Sequence, residues 1–158
     1  MLISEKTAVG ILRISMGWLM LYAGLTKVFN PSWSAAGYLN NAKTFPEFFR
    51  WFASPEILPI TNLINEWGLT LLGVSLILGI GVRLSSTFGV LLMLLYYFPA
   101  LEFPYAGANS YIIDDHIIYA LILVYFAEAR AGRVWGLDKW FVNLPIFRKT
   151  PRLKKWLG

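Results

Sequence analysis

Cysteine is absent from the 158 residues, which excludes structural disulfides, thiol redox chemistry, iron–sulfur clusters and cysteine–zinc sites. Histidine occurs once, so a haem held by two histidines is excluded too, and no motif for flavin is present. Charge is scarce: Asp, Glu, Lys and Arg make up 15% of the chain against 57% hydrophobic residues, with a mean hydropathy of +0.56. A soluble domain of this length cannot hide so much apolar surface. Lysine and arginine are also missing from residues 102–110, an absence that gains meaning from where the basic residues do lie.

What is there is long apolar runs. Four windows are long and uncharged enough to cross a membrane, at residues 7–29, 63–82, 84–101 and 111–130. The expected fold is therefore an all-α, integral membrane four-helix bundle, a single domain over residues 1–140 with an outer loop at 30–62. A basic interfacial tail follows at 141–158. The first run is too long for a cleavable signal peptide, and no small-residue cleavage site follows it. The net charge of +5 is concentrated after the fourth run, in Arg133, Lys139, Arg148, Lys149, Arg152, Lys154 and Lys155. The positive-inside rule then places the tail in the cytoplasm, and with four spans the N-terminus as well. Trp135, Trp140, Phe141 and Trp156 among those charges favour membrane lipid over nucleic acid as the tail's partner.

The first span carries Gly10, Gly17 and Gly24 at seven-residue spacing, and beside them Arg13, Met20 and Lys27 at the same spacing. Small residues let a neighbouring helix approach closely, so this face meets protein and brings two cations with it. In the outer loop, Ser32 or Ser34 can cap a short helix through Leu39, and Thr44 to Glu47 has capping-box spacing with Pro46 in the first turn. Phe45, Phe48, Phe49 and Phe52 then fall on one face of a helix too short to span, which can serve as a lid on the bundle or as an interfacial anchor. Tyr96 and Tyr97 close the third span as an aromatic belt would.

In the fourth span, Asp114, Ile118, Leu121, Tyr125 and Glu128 form a stripe. Asp114 and Glu128 are separated by the same interval as Arg13 and Lys27. An antiparallel contact of the first and fourth spans would set Lys27 against Asp114 and Arg13 against Glu128, giving two structural ion pairs. That leaves Glu66, Asp115 and His116 near the outer face as candidates for proton exchange, because histidine beside carboxylates is suited to that work. Asp114, Asp115 and His116 point in different directions around a helix, so no metal is expected there. The bland alternative is that these groups cap the fourth helix at a wet interface.

Three motifs carry a resemblance. They are Leu12-Arg13-Ile14 through Gly24-Leu25-Thr26-Lys27, then Glu66-Trp67-Gly68 leading to Gly79-Ile80-Gly81-Val82-Arg83, and the closing Ala131-Gly132-Arg133-Val134-Trp135-Gly136-Leu137-Asp138. Together they resemble the DoxX/DoxD family of small membrane proteins. The Asp114-Asp115-His116 form with Trp33 to Leu39 is most similar to archaeal members. The resemblance implies a membrane subunit of a quinone-linked oxidoreductase, of the thiosulfate:quinone type, with an exchangeable quinone as cofactor. It supplies no agreed catalytic residues. On the physical reading, His116, Asp115 and Glu66 are the catalytic candidates, and Tyr96, Tyr97, Lys27, Trp67 and Phe49 are the candidates for holding quinone. Electrons would come from a substrate such as thiosulfate or from a second redox subunit; homo-oligomerisation is the other partnership to consider. The competing classes are a non-catalytic membrane scaffold and, with less support, a small-solute transporter, for which no inverted repeat is visible.

Overall fold

The computed structural model describes residues 3–141 and 143. Helix α1 spans Glu5–Val28, short helices α2 and α3 span Ala36–Asn40 and Pro46–Phe52, and α4 and α5 span Leu58–Leu78 and Val82–Ala100. A two-stranded antiparallel hairpin follows, β1 Tyr105–Gly107 with β2 Ser110–Tyr111, then α6 Asp115–Glu128, a 3-10 turn Ala131–Arg133 and α7 Asp138–Phe141. The basic tail expected at 141–158 lies outside the described residues apart from its first position and Asn143.

Among the described residues three helices, α1, α4 and α5, are long and apolar enough to cross a membrane. The expected fourth span is shorter than its apolar run. Asp114 adopts an extended conformation and its carboxylate accepts from the His116 and Ile117 amides at 3.0 and 3.1 Å, so the helix begins only at Asp115. Residues 110–111 belong to the hairpin instead. The 14 residues of α6 reach about 21 Å, short of the hydrocarbon thickness of about 30 Å. The fold is thus mostly helical, with the hairpin as an exception to the all-α expectation. Met16 and Met20, Leu69 and Leu76, Met93, Leu123 and Phe126 nevertheless bring α1, α4, α5 and α6 into one core.

The glycine face of α1 does meet protein, but its partner is α4. A side-chain carbon at Gly24 would collide with Thr70, one at Gly73 with the Leu21 backbone, and one at Gly17 would lie 2.9 Å from the Ile77 nitrogen. Such close approach lets two helices gain dispersion contact along their whole length. The opposite faces keep Trp18, Tyr22, Leu71, Phe88 and Leu91 exposed, a surface suited to lipid tails.

In the outer loop, neither expected serine caps α2: its N-cap is Ala35, without a side-chain cap, and Ser34, one position earlier, accepts from the Ala36 amide at 3.2 Å in a local turn. The capping box at 44–47 does not form. Phe45 stands at the N-cap of α3 with φ 52° and no side-chain cap, while the Thr44 hydroxyl donates instead to the Leu101 carbonyl at 2.6 Å. Of the four phenylalanines only Phe49 is fully buried, at 2% exposure, packed with Ala35, Leu39 and Ala42.

Candidate functional site

At the Lys27 end of the helices, α2 and α3 fold over α4 and α5 and enclose a cavity of about 540 Å³. Its walls are mainly apolar: Trp33, Leu39, Phe49, Trp51, Phe52, Ile60 and Leu92. Ser34, Tyr38, Thr61, Asn65, Tyr96 and Lys27 supply the polar groups. Ile60, Ile64 and Leu95 border it and are themselves exposed on the flanks of α4 and α5. An apolar molecule dissolved in the membrane could therefore enter sideways, without crossing the aqueous surface.

The polar groups are held by a connected set of contacts. The Lys27 ammonium donates to the Ala23 carbonyl at 3.0 Å and lies 5.5 Å from the Trp33 ring centre and 6.0 Å from that of Tyr96. Aromatic faces attract a cation and here fix it against the cavity wall. The Tyr96 hydroxyl donates to the Asn65 side-chain oxygen at 2.6 Å, which leaves the Asn65 amide nitrogen as the donor end of that side chain. Tyr38 donates to the Tyr96 carbonyl. Partial burial, with the Asp114 charge adding to it, pushes the Tyr38 phenol up to about 12, so it stays a donor across the physiological range.

Behind Tyr96 stands His116. Its ring stacks on Tyr96 with centroids 5.4 Å apart and planes 15° from parallel, and its Nδ1 lies 2.7 Å from an Asp114 oxygen. The carboxylate partner of the histidine is therefore Asp114, and Asp115 is exposed. Of the residues expected to hold a headgroup, Lys27, Tyr96 and Phe49 line the cavity. Tyr97 turns away and donates to the Ile112 carbonyl beside the hairpin. Trp67 is 46% exposed on α4, and neither it nor Glu66 is part of the wall. Trp33, Tyr38, Thr61 and Asn65 complete the site and were not anticipated. The loop aromatics reach it only because α2 folds back over the bundle, which no helical periodicity reveals. Asn65 alone carried a signal, as a neutral polar side chain inside an apolar helix.

Neither expected ion pair forms. Lys27 is held as described and Asp114 is committed to capping α6 and to His116, while Glu128 lies 3.7 Å from Arg83 on the surface. Arg13, at 0% exposure, meets backbone instead. Its guanidinium donates to Leu76, to Ile77 at 3.1 Å and to Val134 at 3.0 Å. The cause is the end of α4. A helix leaves its last four carbonyls without intrahelical partners and carries partial negative charge there. Those of Leu76 and Ile77 take Arg13, that of Ser75 takes the Gly79 and Ile80 amides, and that of Leu78 takes the Leu137 amide at 3.2 Å. All four are thereby satisfied.

The same closing segment serves the start of α5. Asp138, 1% exposed, accepts from the Gly81 amide at 2.6 Å. The chain turns between α4 and α5 on Gly79 and Gly81, at φ 66° and 63°. Any larger residue at Gly79 would be strained and would press on Gly136 and Arg13. Burial pushes the Asp138 carboxyl above the usual carboxylate range, against the Gly81 and Val82 amides and the Arg133 and Arg13 charges, which favour ionisation. The folded protein consequently holds this proton more tightly than the unfolded chain. Between the ordinary Asp value near 4 and the raised folded value, stability rises as pH falls; the contribution is complete below that range and lost as pH climbs through the folded value. Asp138→Asn is expected to remove this slope, so denaturation curves of the two proteins recorded from pH 4 to 7 should converge or separate with pH. Parallel curves would contradict the assignment.

Comparison with known proteins gives one match. The family model described as DoxX covers residues 8–100, more than half the chain, from the first turn of α1 to the end of α5. The match stops short of the closing segment. No curated protein and no solved structure matches.

Proposed function

Because this chain belongs to the DoxX family and is accordingly a membrane protein whose apolar helices suit a bilayer, we propose that it is the membrane subunit of a quinone-linked oxidoreductase and that the Lys27-end cavity receives the quinone headgroup. The observation that carries this reading is the cavity itself: about 540 Å³, walled by aromatic and aliphatic side chains, bordered by lipid-facing Ile64 and Leu95, with donors gathered at one side. That combination suits a flat apolar molecule carrying a few oxygen acceptors. Lys6 at the start of α1 and Arg130, Arg133 and Lys139 after α6 gather at the opposite end; with that basic end facing the cytoplasm, as the positive-inside rule has it, the cavity lies toward the outer leaflet.

Bound there, a quinone would supply two-electron, two-proton redox chemistry. Lys27 and the Asn65 amide would hold its oxygens, and Trp33, Phe49 and Phe52 would exclude water around it. Tyr96 separates the cavity from His116, whose imidazole Asp114 holds in place at 2.7 Å. This dyad is the group suited to exchange protons with the site by way of the exposed end of α6. The electrons come from a donor such as thiosulfate or a second redox subunit.

Trp33 and Trp51 stand in the wall, so a short-chain quinone bound there should quench their fluorescence. Titration of the purified protein is expected to give saturable quenching whose amplitude falls in Trp33→Phe. Quenching that never saturates and is indifferent to Trp33 would be collisional and would count against the site.

A further inference from the structure

A second cavity lies at the opposite end of the helices. Its volume is about 520 Å³, and it is lined by Lys6 at the start of α1, Arg130 and Arg133 around the 3-10 turn, Lys139 on α7 and the ring of Trp135. No acidic side chain is part of its lining. Arg133 faces the Asp138 charge, but among the described residues Lys6, Arg130 and Lys139 enter no ion pair. Four cations from three separate elements thus converge on one concavity. Arg130 and Trp135 both stand in the left-handed region, at φ 50° and 52°, a costly conformation for such residues that the fold nonetheless retains at this rim. Packing holds it, since the Trp135 ring abuts Gly10 of α1 so closely that a side-chain carbon there would collide with it.

We infer that this cavity binds the phosphate headgroup of an anionic phospholipid, independently of any quinone at the other end. The charge calls for an anion, and the surroundings identify its source. Lys6 sits in the first turn of a membrane-spanning helix, which is headgroup depth. Trp135 in the same lining and Trp140, next to Lys139 on α7, are 62% and 64% exposed, as befits side chains resting in the interface. Basic pockets at the ends of membrane helices recognise lipid headgroups through charge and hydrogen bonds together. The reading also gives the closing segment a ligand as well as a structural task.

The test is native mass spectrometry of the purified full-length chain, released from micelles containing equal amounts of phosphatidylglycerol and phosphatidylcholine. Retention of one phosphatidylglycerol, preferred by roughly tenfold or more, is expected. The double variant Arg130→Gln with Lys139→Gln should lower retention by roughly tenfold, while Arg130→Lys with Lys139→Arg retains it. Neutralising Lys43 and Arg50, which lie outside this lining, should leave it unchanged. Equal retention of both lipids, an equal loss from the Lys43 and Arg50 variant, or full displacement by millimolar inorganic phosphate would overturn the inference.

Discussion

Replacing Arg13 with alanine is expected to destabilise the protein by about 3 to 5 kcal/mol, the range seen when one member of a buried charged contact is removed. The guanidinium is fully enclosed and bridges the carbonyls of Leu76 and Ile77 on α4 to that of Val134 in the closing segment. Without it those carbonyls are buried with no donor, each at a cost of about 1 to 3 kcal/mol, and Asp138 loses a neighbouring positive charge. Lysine is a poor substitute. Its single ammonium cannot span acceptors on two elements as a planar fork does, so Arg13→Lys should recover less than half of the loss. Because Arg13 and Asp138 interact, the double variant Arg13→Ala with Asp138→Asn should be less damaged than the sum of the two single changes. Unfolding in mild detergent measures all three. An Arg13→Ala protein as stable as the parent would show that the bridge contributes nothing.

The second large effect concerns ligand binding. Lys27→Met keeps a flexible apolar stem of similar length but removes the one cationic group that the described residues place in the wall of the Lys27-end cavity. Hydrogen bonds to charged groups contribute about 1.5 to 3 kcal/mol, so the quinone concentration giving half-maximal tryptophan quenching should rise roughly ten- to hundredfold. Asn65→Leu removes a neutral donor and also releases Tyr96 from its bond; a loss of roughly fivefold is expected, at about 1 kcal/mol for a neutral bond. If Lys27→Met binds as tightly as the parent, the cation serves only to rest on Trp33 and Tyr96.

The contrast between the two cations of α1 shows what was legible in the sequence. Their shared face with Gly10, Gly17 and Gly24 was evident from spacing, and that face is indeed buried. Their partners were not. Matching intervals on two helices suggested paired charges, but the acceptors that Arg13 meets are backbone carbonyls, which every residue carries and no side-chain pattern marks. They are available because α4 ends on Gly79. Likewise a cap on the fourth helix was foreseen only as the alternative reading, and Asp114, which forms it, was assigned to Lys27; the cap falls within an apolar run long enough to read as a span and leaves α6 at 14 residues. The cavity was legible in part: Lys27, Tyr96 and Phe49 follow from helix ends and an aromatic face. Trp33 and Tyr38 reach it through the return of a loop whose path is set by tertiary contacts, including the bond from the Ala35 amide to Asn62 at 3.0 Å.

Asp138 is the residue whose importance was most understated. It appeared only as the last member of a closing motif, amid basic residues. Its burial against the Gly81 amide makes it a cap supplied from 57 positions away along the chain, a distance at which local sequence rules for helix starts have no reach.

That the Lys27-end cavity holds a quinone is tested most directly by extracting the purified protein with organic solvent and weighing what is released. One quinone per chain is expected from the parent protein, and far less from Leu95→Trp, which adds bulk at the mouth of the cavity. A folded parent that releases no quinone, or a Leu95→Trp variant that releases as much, would contradict it.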